Sequence, residues 1–186
     1  MRNTIHSVLR YSFKTRKTWW FTAIAKTKAR YARTALGSFW LGISTLMTVL
    51  CLGFVYGTVF NVSNFKEYFI YLGIGLVIWT PISEAINQAP LIFITNSNSL
   101  KNSTIKPIFF VCQEWAFQVQ SFMQAFIMVF IVFLIFSPGL VLNLVAAPLH
   151  FFNLLLFIFW LQLLISLLGT KYTDLFQLLP IITNLL

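Results

Sequence analysis

The sequence predicts an all-α, polytopic membrane helical bundle, with an N-terminal amphipathic interface helix, four complete spans and a partial fifth. Three observations carry this. Of 186 residues, 59% are hydrophobic and only 9% charged, where a soluble domain carries about 25% charged residues. The apolar excess spreads from residue 35 to the end, in runs long enough to cross a hydrocarbon core about 30 Å thick, which takes ~20 helical residues. These runs do not alternate, which argues against a barrel of ~10-residue alternating strands, and open sheets cannot live in lipid.

The formal charge of +9 invites a nucleic-acid reading, but the distribution of the charge argues against one. Nine of the thirteen Lys and Arg lie in residues 1–33, with no acid among them. A cluster of cations beside an apolar run is the signature of orientation by the positive-inside rule. Contact with anionic headgroups of membrane lipids is the other reading of the same charges. The chain therefore divides into a basic, interfacial arm, 1–33, and a transmembrane domain, 34–186. Cys51 and Cys112 match no metal-ligand spacing and read as packed thiols rather than a disulfide.

Within the arm, no apolar core of a cleavable signal precedes the long span. Thr4 to Phe13 fit an amphipathic helix, with Ile5, Val8, Leu9 and Phe13 on one side and Arg10, Lys14 and Lys17 on the other. That pattern suits a helix lying in the interface plane or docking on a partner. Trp19, Trp20 and Phe21 read as a second interfacial anchor. The arm ends at a junction, Arg30-Tyr31-Ala32-Arg33, after which no charged side chain occurs from Thr34 to Phe65. Arg30 and Arg33 are expected at headgroup level, stems in the apolar boundary and guanidinium groups in water.

The first span is read over 36–60. It carries Gly53 and Gly57 in G-x-x-x-G spacing, which permits close helix approach. The second span is read over 68–94. Thr80, Glu84, Asn87 and Gln88 share a face, and Pro81 removes a backbone hydrogen bond and is expected to kink the helix. Glu84 lies about 24 Å below Tyr68 at 1.5 Å per residue, where a carboxylate is costly unless paired or wet. Residues 95–107 form the one strongly polar stretch between spans, with Lys101, Lys106 and Pro107. Asn61-Val-Ser and Asn102-Ser-Thr match the glycosylation pattern but sit at a span end and on the expected inner side.

The third span is read over 108–136, with Glu114, Gln118 and Ser121 in one stripe and Gln113, Gln120 and Gln124 beside it. Glu114 falls about 10 Å above the inner start of its helix, at a depth similar to Glu84. Ser137-Pro138-Gly139 is expected to turn the chain, and the fourth span follows over 142–168. Its polar residues, Asn143, His150, Asn153 and Gln162, define no stripe. Residues 169–174 return the chain, and 175–186 begin a partial fifth helix. At about 18 Å this segment is short of a span. It is expected to tilt into the interface or pack on the fourth span, and the chain is expected to be a fragment or part of a split protein.

Four spans with both ends inside place twelve of the thirteen cations on one side, with Lys66 alone opposite. Gly37 and Gly42 have the glycine spacing of a phosphate loop, but Ile43 stands where lysine is needed. No carboxylate pair, triad or metal cluster occurs outside the spans. The sequence thus predicts neither catalysis nor a bound cofactor in this chain.

Several motifs occur in a fixed order. Arg30, Tyr31, Arg33, Thr34, Leu36, Gly37 and Trp40 read R-Y-x-R-T-x-L-G-x-x-W. Tyr56, Gly57 and Phe60 read Y-G-x-x-F. Tyr71, Leu72, Gly75, Leu76 and Trp79 read Y-L-x-x-G-L-x-x-W. Phe93, Asn96, Leu100, Lys101 and Pro107 punctuate the polar loop, and Leu168, Gly169, Tyr172 and Asp174 read L-G-x-x-Y-x-D. From about residue 20 onward, this run resembles the membrane subunits of ABC exporters for O-antigen, capsule and teichoic-acid polysaccharides. Lys106 departs from the pattern, standing where an apolar residue is usual, and the family continues beyond the fifth helix with a re-entrant hairpin and a sixth span.

The resemblance implies a permease homodimer in the bacterial cytoplasmic membrane, N-terminus inside. It would work with a separate ATPase subunit that binds ATP and move a lipid-linked glycan. It implies that the loop of Asn96, Leu100, Lys101 and Lys106 docks the ATPase, and that Arg30, Tyr31, Arg33 and Trp40 form the interface junction. Glu84, Asn87, Glu114, Gln118, Tyr68, Tyr71 and Trp79 are candidates for the path. The polar stripes fit two readings, a wet path or interhelical hydrogen bonds of about 0.6 kcal/mol each. The aromatics Phe60, Phe65, Tyr68, Phe69 and Tyr71 likewise fit a sugar-stacking surface or an interfacial belt. A membrane-embedded transferase lacks its surface acids or histidines here, and a non-transporting assembly subunit or inactive truncated permease is the alternative.

Overall fold

Charged, amide-rich and aromatic side chains of the third span meet most of the other helices, and the architecture follows from that. A computed structural model of the chain describes residues 2–102, 104–136 and 147–185. The helices are α1 (Arg2–Lys14), α2 (Arg16–Arg30), α3 (Trp40–Val59), α4 (Phe65–Gln88), α5 (Ile92–Thr95), α6 (Ser97–Asn102), α7 (Ile108–Phe136), α8 (Ala147–Lys171) and α9 (Leu175–Leu185). Single 3-10 turns at Gly37–Phe39 and Ala89–Leu91 precede α3 and α5. The chain is an all-α polytopic bundle, and four of its helical segments are long and apolar enough to cross a membrane: Trp40–Val59, Phe65–Thr95, Ile108–Leu134 and Pro148–Lys171. The expected turn at 137–139, and the start of the fourth span with Asn143, lie outside the described residues.

The third span is the centre. Its apolar stretch is 44% buried, against 17–28% for the other three, and α2, α3, α4 and α8 all pack on it. Aromatic side chains make the contacts. The Trp115 indole of α7 donates to the Leu155 carbonyl of α8 at 2.8 Å and stands edge-on to Phe159. Further along, Phe126 meets Phe151 with ring centroids 4.6 Å apart, an edge-to-face geometry that adds to simple burial. The outward faces of α3 and α8 carry exposed Phe54, Val59, Phe152, Phe157 and Trp160, as lipid-facing helices do.

The α3–α4 hairpin uses the predicted glycine pair within this chain. A side chain at Gly53 would run into the Phe69 ring and one at Gly57 into the Phe65 ring. Phe65 and Phe69 are themselves stacked. These two aromatics therefore pack the helix pair together, although Phe65 also remains exposed at the surface. Asn61 has φ of 48°, and the Val62 N–H reaches the Gly57 carbonyl at 3.1 Å. This is a Schellman end, in which asparagine tolerates the left-handed conformation. The Asn61 of the glycosylation-like triplet is a helix terminator.

Several expectations need correction. The arm holds two helices rather than one, because Arg16–Arg30 continues as α2 and lies along α7. Trp19 is turned into the bundle, edge-on to Trp115, with its indole donating to the Ser12 carbonyl at 3.0 Å; only Trp20 and Phe21 are exposed. The first span begins at Trp40, not residue 36, because a turn over 31–36 and the positive φ of 57° at Gly37 intervene. Helix α4 contains Pro81, and a 3-10 turn follows it at Ala89–Leu91, where Pro90 sits. Finally, α9 packs chiefly on α4 rather than on the fourth span. Cys112 is buried as expected, but Cys51 is exposed on α3.

The cations gather at one end. Lys106 lies 5.3 Å over the Tyr11 ring of α1, so the polar loop and the arm meet. The backbone of α8 at Gly169 touches Pro90 directly below that loop, which brings Lys171 to the same end. Lys66, at the start of α4, is at the other.

Candidate functional site

Two polar spaces open off the central helix. The first is a cavity of about 150 Å³ between α3, α4 and α7, lined on its polar side by Ser44, Thr45, Thr48, Thr80, Glu84 and Ser121. The sequence places these groups simply. Ser44, Thr45 and Thr48 fall within one turn of α3, and Thr80 and Glu84 are four residues apart on α4. Ser121 faces them from α7. Each α3 and α4 hydroxyl is anchored by donating to a carbonyl of its own helix, at distances from 2.7 to 3.1 Å. That habit lets Ser and Thr sit in an apolar helix without leaving a donor unmet.

The second space is a cleft of about 310 Å³ at the basic end, bordered by Lys26, Gln88, Thr95, Asn96, Gln113 and Glu114. Its key contact is the ion pair of Lys26 with Glu114. Lys26 also lies 5.0 Å over the Phe117 ring, and the Arg30 guanidinium lies 5.6 Å over the same ring. A planar guanidinium over an aromatic face is a favourable cation–π arrangement. Glu114 thus meets Lys26 of α2. The helical spacing was right, but the register of α2 against α7 was not available from it.

The predicted stripes are split by this geometry. Glu84 faces the cavity, whereas Gln88, one turn further on, borders the cleft. Asn87 belongs to neither. Its Oδ1 accepts from the Thr183 hydroxyl of α9 at 3.1 Å. On α7, Glu114 borders the cleft and Ser121 the cavity, while Gln118 between them is 1% exposed and both of its amide atoms lack a partner among the described residues. Tyr71 is 80% exposed, and Tyr68 and Trp79 are half-buried. None of these three aromatics lines either space.

The loop residues also separate. Asn96 donates its amide to the Ile92 carbonyl at 2.7 Å, closing the end of α5. Leu100 packs on the buried cluster of Ile92, Phe109 and Phe110. Lys106 is held over Tyr11. Of these four, Lys101 is the exposed one. At the junction, Tyr31 ends α2, Arg30 stacks near it at 5.9 Å, and Arg33 and Trp40 are exposed.

The residues that reasoning from sequence missed are Lys26, Ser44, Thr45, Thr48 and Thr183. The α3 hydroxyls did carry a signal, since a polar turn in an otherwise apolar span implies a face that avoids lipid. Lys26 carried none, being one of nine arm cations. No family model, curated protein or solved structure matches the chain.

Proposed function

We propose that the chain is the membrane subunit of an ATP-driven exporter that moves a lipid-linked polysaccharide, of O-antigen, capsule or teichoic-acid type, across a bacterial cytoplasmic membrane. The motifs from Arg30 to Asp174 supply the family resemblance. The observation that carries the reading is the short helix Ser97–Asn102 between the second and third spans, at the basic end of the bundle. Its Asn98 and Lys101 are exposed while Leu100 anchors it from beneath. A rigid, solvent-facing helix seated on the span ends is the shape needed to pass motion from a soluble ATPase into the membrane. The chain has no phosphate loop of its own, so ATP must act through such a partner.

The experiment is coexpression with a candidate ABC ATPase subunit from the same genome, followed by pull-down and by ATP-dependent glycan transfer in proteoliposomes. Lys101→Glu reverses the exposed charge without touching the packed face. It is expected to reduce recovery of the ATPase by tenfold or more, on the order of 1.4 kcal/mol, with insertion unchanged. Full binding and transport by that variant would remove the docking role. Leu100→Asp is not a clean test, because it strikes the bundle itself.

A further inference from the structure

The cavity between α3, α4 and α7 presents mainly lone pairs, and the Ser121 hydroxyl is the one in its lining whose proton has no acceptor among the described residues. Ser44 and Thr45 both give their protons to the Leu41 carbonyl, Thr48 to that of Ser44 and Thr80 to that of Leu76. A hydroxyl has one proton and two acceptor sites, so each of the four keeps its oxygen lone pairs for the cavity. The fifth hydroxyl, Ser121, is 7% exposed, and its oxygen has no partner among the described residues.

Glu84 completes the set. Among the described residues it has no hydrogen bond and no ion pair. The two charged groups that act on it are Arg30 and Glu114. Arg30 is stacked on Phe117 and Tyr31, and Glu114 is paired with Lys26. A carboxylate inside a span requires a partner or water, and among the described residues Glu84 has neither an ion pair nor a hydrogen bond.

The chemistry of the lining selects what fits. All of the polar ligands are oxygens, which suits a hard cation. Among the described residues no cluster of three His, Cys, Asp or Glu exists, so no soft-metal set competes. One carboxylate balances one positive charge, whereas a divalent ion would leave net charge in a low-dielectric site, at high cost. The volume, about 150 Å³, has room for an ion and a few waters at ~30 Å³ of liquid each.

We propose that Glu84, Ser44, Thr45, Thr48, Thr80 and Ser121 form a binding site for a partly dehydrated monovalent alkali cation, with Glu84 as its counter-ion. The ligands come from three different spans, so occupancy ties α3, α4 and α7 together. Any rearrangement that parts those helices must release the ion, and binding favours the arrangement described. The site stands independently of the exporter reading and needs no ATPase to be tested.

The full chain in lipid nanodiscs is heated while helicity is followed, with choline chloride replaced stepwise by sodium or potassium chloride at constant ionic strength. A saturating rise in Tm with an alkali ion is expected, since a ligand that binds only the folded state stabilises it. Glu84→Gln keeps the shape, removes the charge and should abolish the rise. Ser121→Ala should weaken the apparent affinity about tenfold. Thr58→Val, on α3 but away from the cavity, should leave it unchanged. If Glu84→Gln fails to fold, Thr45→Val and direct binding of radioactive sodium to the wild type carry the test. Equal stability in choline, sodium and potassium would overturn the proposal. So would a pH-dependent Tm, lost in Glu84→Gln, without alkali dependence at acidic, neutral or alkaline pH, because the cavity would then take a proton alone.

Discussion

Lys26 of α2 and Glu114 of α7 form an ion pair between groups 88 residues apart in the chain. It fixes an interface helix against the central span, with the Lys26 side chain 43% exposed and that of Glu114 11%. The pair is intermediate between two limits. Exposed pairs contribute at most ~1 kcal/mol, and removing one partner of a buried pair costs about 3–5 kcal/mol.

Lys26→Ala is therefore expected to destabilise the folded chain by about 1–2 kcal/mol, chiefly by leaving Glu114 without its counter-ion. Glu114→Gln in that background should recover part of the loss. Unfolding in mild detergent, run as a double-mutant cycle, measures the coupling. Additive effects would mean that α2 is held by its other contacts with α7, such as Trp19 on Trp115 and Thr27 on Gln120.

Gly169 is a packing position where a larger residue forces the backbone to shift. A Cβ there would lie 2.5 Å from Pro90 Cα and 2.9 Å from the Pro90 carbonyl oxygen. These are backbone atoms that cannot rotate away. Gly169→Ala is expected to cost about 1–3 kcal/mol. Gly75→Ala, where a Cβ meets nothing within 4 Å, should be neutral or stabilise by up to ~1 kcal/mol. The same thermal scan compares the two variants, and equal effects would refute the close contact.

Thr183 is buried at 5% exposure and donates to Asn87. Thr183→Val keeps the volume and removes the bond. Interhelical hydrogen bonds in membranes average about 0.6 kcal/mol, too little to unfold the bundle. The expected effect is local, namely faster hydrogen exchange over Leu175–Leu185 with the four spans unchanged. Protection equal to the wild type would show that apolar contact with α4 suffices.

The shared end of twelve cations predicts orientation. Single cysteines at Asn64 and Asn98, both exposed, in a background lacking Cys51 and Cys112, should react with impermeant reagents from opposite faces of the membrane. By the positive-inside rule the Asn98 face is expected to be the cytoplasmic one. Labelling of both from one face would exclude the four-span arrangement.

Much of the fold was legible because lipid leaves few options. Every backbone polar group in a span must be satisfied within its own helix, so uninterrupted apolar runs such as Ile108–Phe136 could be read directly as helices, and the positions of Lys66, Lys101 and Lys171 ordered them. The helical period likewise gave correct faces within single helices. Thr80 and Glu84 do share one, and Gly53 and Gly57 do admit a neighbour.

The sequence alone determined the class of the chain, the number of its described helices long and apolar enough to cross a membrane and the end at which its charge collects, because these depend on composition and period along one strand of chain. Tertiary structure alone decided that Lys26, rather than Arg30 or Arg33, meets Glu114. It also decided that Trp19 packs inward on Trp115, that α9 lies on α4, and that hydroxyls from α3 complete the space around Glu84. Each of these depends on how one helix is rotated and shifted against another. In a membrane that choice rests on close van der Waals fit and a few hydrogen bonds, which lie between helices and leave no period within either one.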